Sequence, residues 1–284
     1  MMSKPDMASR ETAFSSAPFE PAVVAERTVV VAHEEVNSEY RFLAVRASPV
    51  AAAAKPGQFF NLLCPEPPGL NPFLRRPMSL YGSDPALNRV EFLYKIVGAG
   101  TRGLTQLSVG DELDVVGPLG RGFRFDPAWR SVVLVGRGVG LATLAPVCRA
   151  VKAGGANVTA LLSARSRAVL VSAAVMQSGG ADVVPVFDED GSSAPAKVER
   201  LLRDLIEAGR CDALFTCGSA RLARLMKTLA LEYDLPAQIA MEQHMACGLG
   251  LCHVCVRDFD VGGEIVSRRV CWDGPVFDLR EALP

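Results

Sequence analysis

Four cysteines near the carboxyl terminus carry the strongest chemical signal in the sequence. Cys247, Cys252 and Cys255 are spaced C-x4-C-x2-C, and Cys271 returns alone after fifteen further residues. That is the spacing of a plant-type [2Fe–2S] centre held by four thiolates. Two irons bridged by two sulfides need ligands converging from one compact loop and one returning strand. Gly248 and Gly250 let the loop curl and bring backbone N–H groups close to the sulfurs. Such hydrogen bonds favour the reduced, more negative cluster and raise its potential. The other reading is a structural zinc site of four cysteines, whose ligands usually come as two separated C-x2–4-C pairs. His244 and His253 flank the loop, but four thiols already fill the ligand set, so both are read as ordinary loop residues.

The chain around this cluster has the composition of a globular protein. Its 284 residues suggest about two domains. Hydrophobic residues make up 49% and charged residues 21%, which excludes a disordered chain. A net charge of -1 without a Lys/Arg block gives no nucleic-acid footprint. No apolar run reaches the ~18 residues of a membrane span, and the N-terminus lacks the apolar stretch of a secretory signal. A cytoplasmic protein without membrane attachment is expected. Disulfides are rare there, so the eight cysteines point to metal or redox chemistry.

Residues 1–21 have no periodicity and read as a flexible extension. From 22 to 127 the pattern is strand-like: AERTVVVAHEEV, YRFLAVRAS, QFFNLLC, MSLYGS, VEFLYKIV and DELDVVGPLG, broken by turn residues. Short strands with turn signals between them predict a small β-barrel. From 128 to 240 the rhythm changes. Strand-like SVVLVG, NVTALLSAR, DVVPVF, DALFTCG and AQIAME alternate with helix-like LATLAPVCRAVKAG, SRAVLVSAAVMQSG, PAKVERLLRDLIEAG and SARLARLMKTLALEY. That alternation predicts an α/β, Rossmann-like parallel sheet covered on both faces. Residues 241–284 form the cysteine-rich segment.

A [2Fe–2S] cluster passes one electron at a time, whereas a nicotinamide exchanges a hydride. Joining the two calls for a flavin. If the α/β domain binds a nicotinamide, the barrel should hold the flavin. Arg76-Pro77-Met78-Ser79 offers an Arg and a Ser able to reach a diphosphate or an isoalloxazine edge, or is an ordinary strand edge. Leu93-Tyr94-Lys95 precedes Gly98 and Gly100-Thr101, a turn that can present N–H groups to phosphate, or simply a turn. In the α/β domain Gly136, Gly138 and Gly140 follow a buried strand, where a pyrophosphate can meet a helix N-terminus. They are two apart, unlike G-x-G-x-x-G, and a plain strand–helix turn is the alternative. Cys217 ends a strand where ligands of open α/β sheets collect. It is read as a catalytic candidate near the nicotinamide or flavin, or as a small core residue.

Taken together, FLRRPMSLYG, FLYKIVGAGTRGL, DVVGPLGRGF, LFTCGSA and MACGLGLCHVC…VCWDGPVF give a resemblance from about residue 22 to the end. The chain resembles the electron-transfer subunits of class 1B (NAD-dependent) dihydroorotate dehydrogenase, in the ferredoxin–NADP reductase superfamily. The resemblance implies an oxidoreductase subunit of pyrimidine biosynthesis. FAD would lie on Arg76 to Ser79, Leu93 to Lys95 and Gly100-Thr101, and the cluster on the four cysteines. An FMN-containing catalytic partner would oxidise dihydroorotate, with electrons running from FMN to cluster, to FAD, to NAD+. The alternatives are an FAD/[2Fe–2S] NAD(P)H reductase serving another dehydrogenase or ferredoxin, and a non-catalytic zinc-binding interaction module. The chain departs from the family pattern at Arg137, where a glycine is usual, and at Thr143 and Ser219, where prolines are usual. Arg137 would clash or pair with a pyrophosphate, and Arg165 and Arg167 could receive a 2′-phosphate. His253, Val254 and Trp272 are candidate partner contacts.

Overall fold

The computed structural model describes residues 22–284; the expected extension, 1–21, lies outside the described residues. The first half runs β1 (Val24–Glu35), β2 (Tyr40–Arg46), α1 (Pro49–Ala52), β3 (Phe59–Leu62), β4 (Arg76–Ser79), β5 (Gly82–Asp84), β6 (Arg89–Lys95), α2 (Ala99–Leu104) and β7 (Glu112–Leu119). These strands form one antiparallel sheet in the order β4-β3-β7-β1-β2-β6-β5. Its two end strands are consecutive in sequence. Leu80 N–H donates to Gln58 O at 2.9 Å and Tyr81 N–H to Glu91 O at 2.8 Å, so the chain crosses from the β3 side to the β6 side and curls the sheet into a barrel. MSLYGS is therefore two strands rather than one. The barrel interior holds Val30, Leu43, Phe60, Leu62, Phe92, Tyr94, Leu104 and Leu113, with Phe60 and Phe92 edge to face at 5.5 Å.

The second half runs β8 (Ser131–Arg137), α3 (Gly140–Ala153), β9 (Asn157–Ala164), α4 (Ala173–Ser178), β10 (Asp182–Phe187), α5 (Pro195–Glu207), β11 (Ala213–Cys217), α6 (Ala220–Glu232), β12 (Ala237–Ala240), β13 (Val256–Val261), β14 (Glu264–Arg269), α7 (Val270–Asp273) and β15 (Val276–Asp278). The sheet order is β10-β9-β8-β11-β12-β15, the nucleotide-binding order with its reversal between β8 and β11. Five strands are parallel; β15, from the cysteine-rich tail, pairs antiparallel with β12. Neighbouring residues of β8 serve opposite cores. Val132 and Leu134 pack with α3 and α4, and Val133 and Val135 with α5 and α6, as a run buried on both faces requires.

The helix expected over SRAVLVSAAVMQSG is shortened to α4, with a separate 3-10 turn at Arg167–Val169. Leu170 is extended and Ser172 is left-handed at φ 66°, and that backbone cannot continue a helix. Among the described residues, no helix is long and apolar enough to cross a membrane.

Candidate functional site

The cysteine loop leaves β12 and is irregular from 241 to 255. Gly248 at φ 69° and Gly250 at φ 78° take left-handed backbone that bends it sharply. Gly250 also lies against Trp272, where an added Cβ would meet the indole stem at 3.0 Å. The β13–β14 hairpin, closed by Gly262-Gly263 at φ 66° and 93°, turns the chain back and delivers Cys271 on α7 to the same place. Backbone amides then point at sulfur. Leu249 N–H donates to Cys247 Sγ at 3.3 Å, Gly250 N–H to Cys271 Sγ at 3.2 Å, and Cys271 N–H to Cys255 Sγ at 3.4 Å.

The four thiols form two pairs, Cys247 with Cys252 and Cys255 with Cys271, each pair within hydrogen-bond reach. Among the described residues no three His, Cys, Asp or Glu side chains are grouped so as to hold one metal ion. Two thiol pairs suit a diiron centre, in which each iron takes two thiolates. Cys255 and Cys271 are buried, Cys247 is half-buried and Cys252 is exposed. Burial pushes the Cys247 thiol up, but the amides of Leu249 and Cys252, the Cys252 thiol and the Leu251 amide outweigh it and hold the group at about 7. Burial, reinforced by Cys255, pushes Cys271 up to about 12. Leu251, 80% exposed, and Val254 stand in solvent beside Cys252.

The predicted flavin segments meet on the barrel. Arg76, Pro77, Met78 and Ser79 form β4 and are all half-buried. An added Cβ on Gly100 would lie 2.7 Å from Arg76 Cγ, so the two segments touch. Gly100 and Thr101 lie in the first turn of α2 rather than in an open turn. The Thr101 hydroxyl caps that turn, accepting from Val97 N–H at 2.9 Å and Gly98 N–H at 3.0 Å. The segment Leu93-Tyr94-Lys95 is divided. Leu93 faces the α/β domain, whereas Tyr94 points into the barrel and its hydroxyl bonds His33 Nε2 at 2.9 Å. His33 Nδ1 donates to Leu107 O at 2.7 Å, so Nε2 accepts and the tyrosine hydroxyl donates. Lys95 pairs with Glu39 at 2.8 Å.

Gly136, Gly138 and Gly140 line the crevice at the carboxyl ends of β8 and β11. Gly138 is left-handed at φ 59°. A Cβ on Gly140 would sit 2.4 Å from Cys217 O, and one on Gly218 2.5 Å from Arg137 O. The two strand-end turns therefore pass backbone to backbone. The α3 N-terminus opens there without a side-chain cap, an arrangement suited to a diphosphate. Arg137 leans away from that turn to Asp188 and Ser163. Cys217 is 2% exposed; burial, then the nearby Glu242 carboxylate, pushes its thiol up to about 12 despite the Thr143 hydroxyl. A neutral thiol there supplies shape rather than a nucleophile.

Two residues of this region have no signal in the sequence. Glu242 follows β12 and lies close enough to Cys217 and Tyr40 for its charge to act on both. Its side chain reaches solvent, yet crowding by protein raises its carboxyl above the usual range. Asn61 of β3 is buried and donates from Nδ2 to Cys247 O at 3.3 Å.

Comparison with known proteins supplies relatives for the chain. Residues 242–282 match the family model for the iron-sulfur cluster binding domain of dihydroorotate dehydrogenase B. The chain is 34% identical over 262 residues to the dihydroorotate dehydrogenase B (NAD(+)) electron transfer subunit of Shouchella clausii, covering 90% of this chain and 97% of that protein. It is 35% identical over 256 residues to the subunit of the same name from Streptococcus pneumoniae, covering 89% and 96%. A solved structure of an NADH-dependent reduced ferredoxin-NADP oxidoreductase superposes with a TM-score of 0.72 at 26% identity, covering 89% of this chain and 88% of the other. Ferredoxin-NADP+ reductase from Plasmodium falciparum shares the fold, with a TM-score of 0.58 at 12% identity over 73% of this chain and 89% of the other.

Proposed function

Since this chain belongs to the family of dihydroorotate dehydrogenase B (NAD(+)) electron transfer subunits, we propose that it carries electrons between a dihydroorotate-oxidising partner and NAD+. It is the FAD- and [2Fe–2S]-dependent half of that oxidoreductase. Residues 22–127 hold FAD, 128–240 hold NAD(H) and 241–284 hold the cluster. When bound, the flavin converts the two-electron chemistry of the nicotinamide into the single-electron chemistry of the cluster.

The observation that carries this reading is the pair of thiol pairs, Cys247 with Cys252 and Cys255 with Cys271, three of whose sulfurs accept backbone N–H bonds. Cys255 and Cys271 anchor the inner side, and Cys252 brings the outer side to the surface. Leu251, His253, Val254 and Trp272 surround it and make the contact face for the FMN-containing catalytic subunit. On the barrel, Arg76 serves the diphosphate, and Pro77 to Ser79 with Leu93 serve the ring system. Tyr94, Lys95, Gly100 and Thr101 shape the wall behind them. In the β8–β11 crevice Gly136, Gly138 and Gly140 leave room for the dinucleotide, and Cys217 closes the end of the site against water.

Arg165 is paired with Glu39 at 2.5 Å and Arg167 with Asp190 at 3.5 Å. A 2′-phosphate there would have to compete with a carboxylate at each guanidinium, which favours NAD over NADP. With four cysteines given to the cluster and Cys64, Cys148, Cys211 and Cys217 buried as thiols, the cysteine usage suits a cytoplasmic protein.

The test is anaerobic purification followed by iron, sulfide and flavin assay. One FAD and two irons per chain are expected, with an electron paramagnetic resonance signal after dithionite and NADH reduction of artificial acceptors without the partner. A colourless chain carrying zinc overturns the reading. Recovery with a ferredoxin instead of an FMN-containing dihydroorotate oxidase would change the partner but keep the cofactors.

A further inference from the structure

Asn61 touches both redox parts of the molecule. It belongs to β3 of the barrel, 186 positions before Cys247, yet its Nδ2 donates to the Cys247 carbonyl. The loop lies flat on it: a Cβ added to Gly248 would stand 2.2 Å from the same nitrogen and 3.4 Å from Leu119 Cδ1. In the sheet, Asn61 lies opposite Pro77 and Phe59 opposite Ser79. Alternation along β3 sends Phe60 and Leu62 into the barrel, while Phe59 and Asn61 face outward, Phe59 packing with Cys255 and Cys271. The first cysteine of the loop and the central strand position of the flavin segment thus share one side chain as neighbour.

The polar character of Asn61 needs a reason. Its residue is 2% exposed, and Oδ1 has no hydrogen-bond partner. Donation to a carbonyl fixes which end of the amide faces Cys247, so rotation of the amide cannot relieve the orphaned oxygen. A buried acceptor without a partner is costly, and an apolar side chain would avoid that cost. Retaining an amide here is accounted for by what Nδ2 does for the loop.

We propose that Asn61 is a positioning residue that clamps the cluster loop onto the flavin-side strand pair of the barrel. This rests on the reading that the four thiols hold a cluster and that β4 lies along the flavin. Through the Cys247 carbonyl, Asn61 fixes the turn at Gly248, and with it the amides of Leu249 and Gly250 that donate to Cys247 and Cys271. Its role toward the iron is indirect, through the loop that carries the ligands.

The experiment compares the parent with Asn61→Leu and Asn61→Asp, each as the full chain loaded with FAD and iron. Leu keeps the branch point and the number of heavy atoms, with bulkier methyl groups, and removes the donor. Asp keeps the shape and turns an acceptor toward the Cys247 carbonyl. Iron release to a chelator is followed anaerobically, together with the resonance spectrum of the dithionite-reduced chain, FAD content and the rate of flavin reduction by NADH. Both variants should retain FAD and reduce it at the parental rate. They should release iron about 10–100-fold faster, the scale of second-layer changes around metals, with a displaced spectrum. Should Asn61→Leu fail to fold, Asn61→Asp carries the comparison alone. Variants that match the parent in iron release and spectrum overturn the clamp and leave the functional reading intact. A parent that never binds iron overturns both.

Discussion

The Arg137 guanidinium grips the Asp188 carboxylate with both arms, Nη1 donating to Oδ1 at 3.1 Å and Nη2 to Oδ2 at 2.5 Å. Nη1 also reaches Ser163 Oγ at 2.8 Å, and Ser193 Oγ donates to the same carboxylate at 2.5 Å. This small network joins the ends of β8, β9 and β10. It explains how an arginine is accommodated inside a glycine turn: the side chain is drawn along the sheet edge, and Gly138 and Gly140 keep the turn open.

The same network gives a pH dependence. Arg137, then Ser193, holds the Asp188 carboxyl down at about 2, below its usual 3.8. A lowered acid stabilises the fold above its unfolded value and loses that contribution as pH falls toward the folded value. Asp188 is partly exposed, so the pair contributes under about 1 kcal/mol after solvent screening. Asp188→Asn should therefore shift the urea midpoint slightly near neutral pH, and the gap to the parent should close as pH falls below about 4. A gap that widens in acid would contradict the pairing.

Within the expected flavin segment Tyr94 turns into the barrel while Leu93 turns outward. Its ring lies in the barrel interior and its hydroxyl donates to His33. Tyr94→Phe should cost about 1 kcal/mol in thermal or urea unfolding, the usual net value of a buried hydrogen bond. FAD affinity should not change. A large fall in flavin content at unchanged stability would place the hydroxyl at the cofactor instead.

What the sequence makes legible follows from the range of the interaction. The cysteine spacing, the bends at Gly248 and Gly250 and the alternation of strands with helices are local, and the structure follows them. Tyr94 obeys strand alternation, but β6 is buried on both faces, Leu93 toward the α/β domain and Phe92 and Tyr94 toward the barrel. A run of apolar residues cannot say which face meets a ligand. Helix α4 is cut short by a left-handed serine that propensity alone does not announce. Asn61 and Glu242 become visible only when distant segments meet, across 186 positions for Asn61 and Cys247. Neither belongs to a motif.

Cys252 tests the ligand set from the solvent side. It is exposed, and its neighbours Leu251 and Val254 are exposed too, so serine fits there without disturbing the core. Cys252→Ser should keep FAD and its reduction by NADH while losing the dithionite-induced resonance signal. A normal cluster spectrum in this variant would remove Cys252 from the ligands and leave the C-x4-C-x2-C reading without its middle member.

Gly140 offers the sharpest steric test of the nucleotide crevice. Its backbone needs no left-handed angle, so the requirement is purely one of space. A Cβ there would meet Cys217 O at 2.4 Å, Cys217 C at 2.6 Å and Gly218 N at 2.9 Å. All three are backbone atoms of the β11 turn, and no side-chain rotation can make room. The turns after β8 and β11 must move apart, with a cost of about 1–3 kcal/mol expected for overpacking. That displacement falls where the nicotinamide nucleotide is proposed to bind. Gly140→Ala should therefore slow flavin reduction by NADH by about 100-fold, the scale of an ångström-sized misplacement. Dithionite, which needs no binding site, should still reduce the flavin fully. Gly154→Ala serves as the control, because its nearest neighbour would stand at 3.4 Å at the far end of α3. Equal NADH kinetics in the two variants would mean that the crevice between β8 and β11 does not receive the nucleotide.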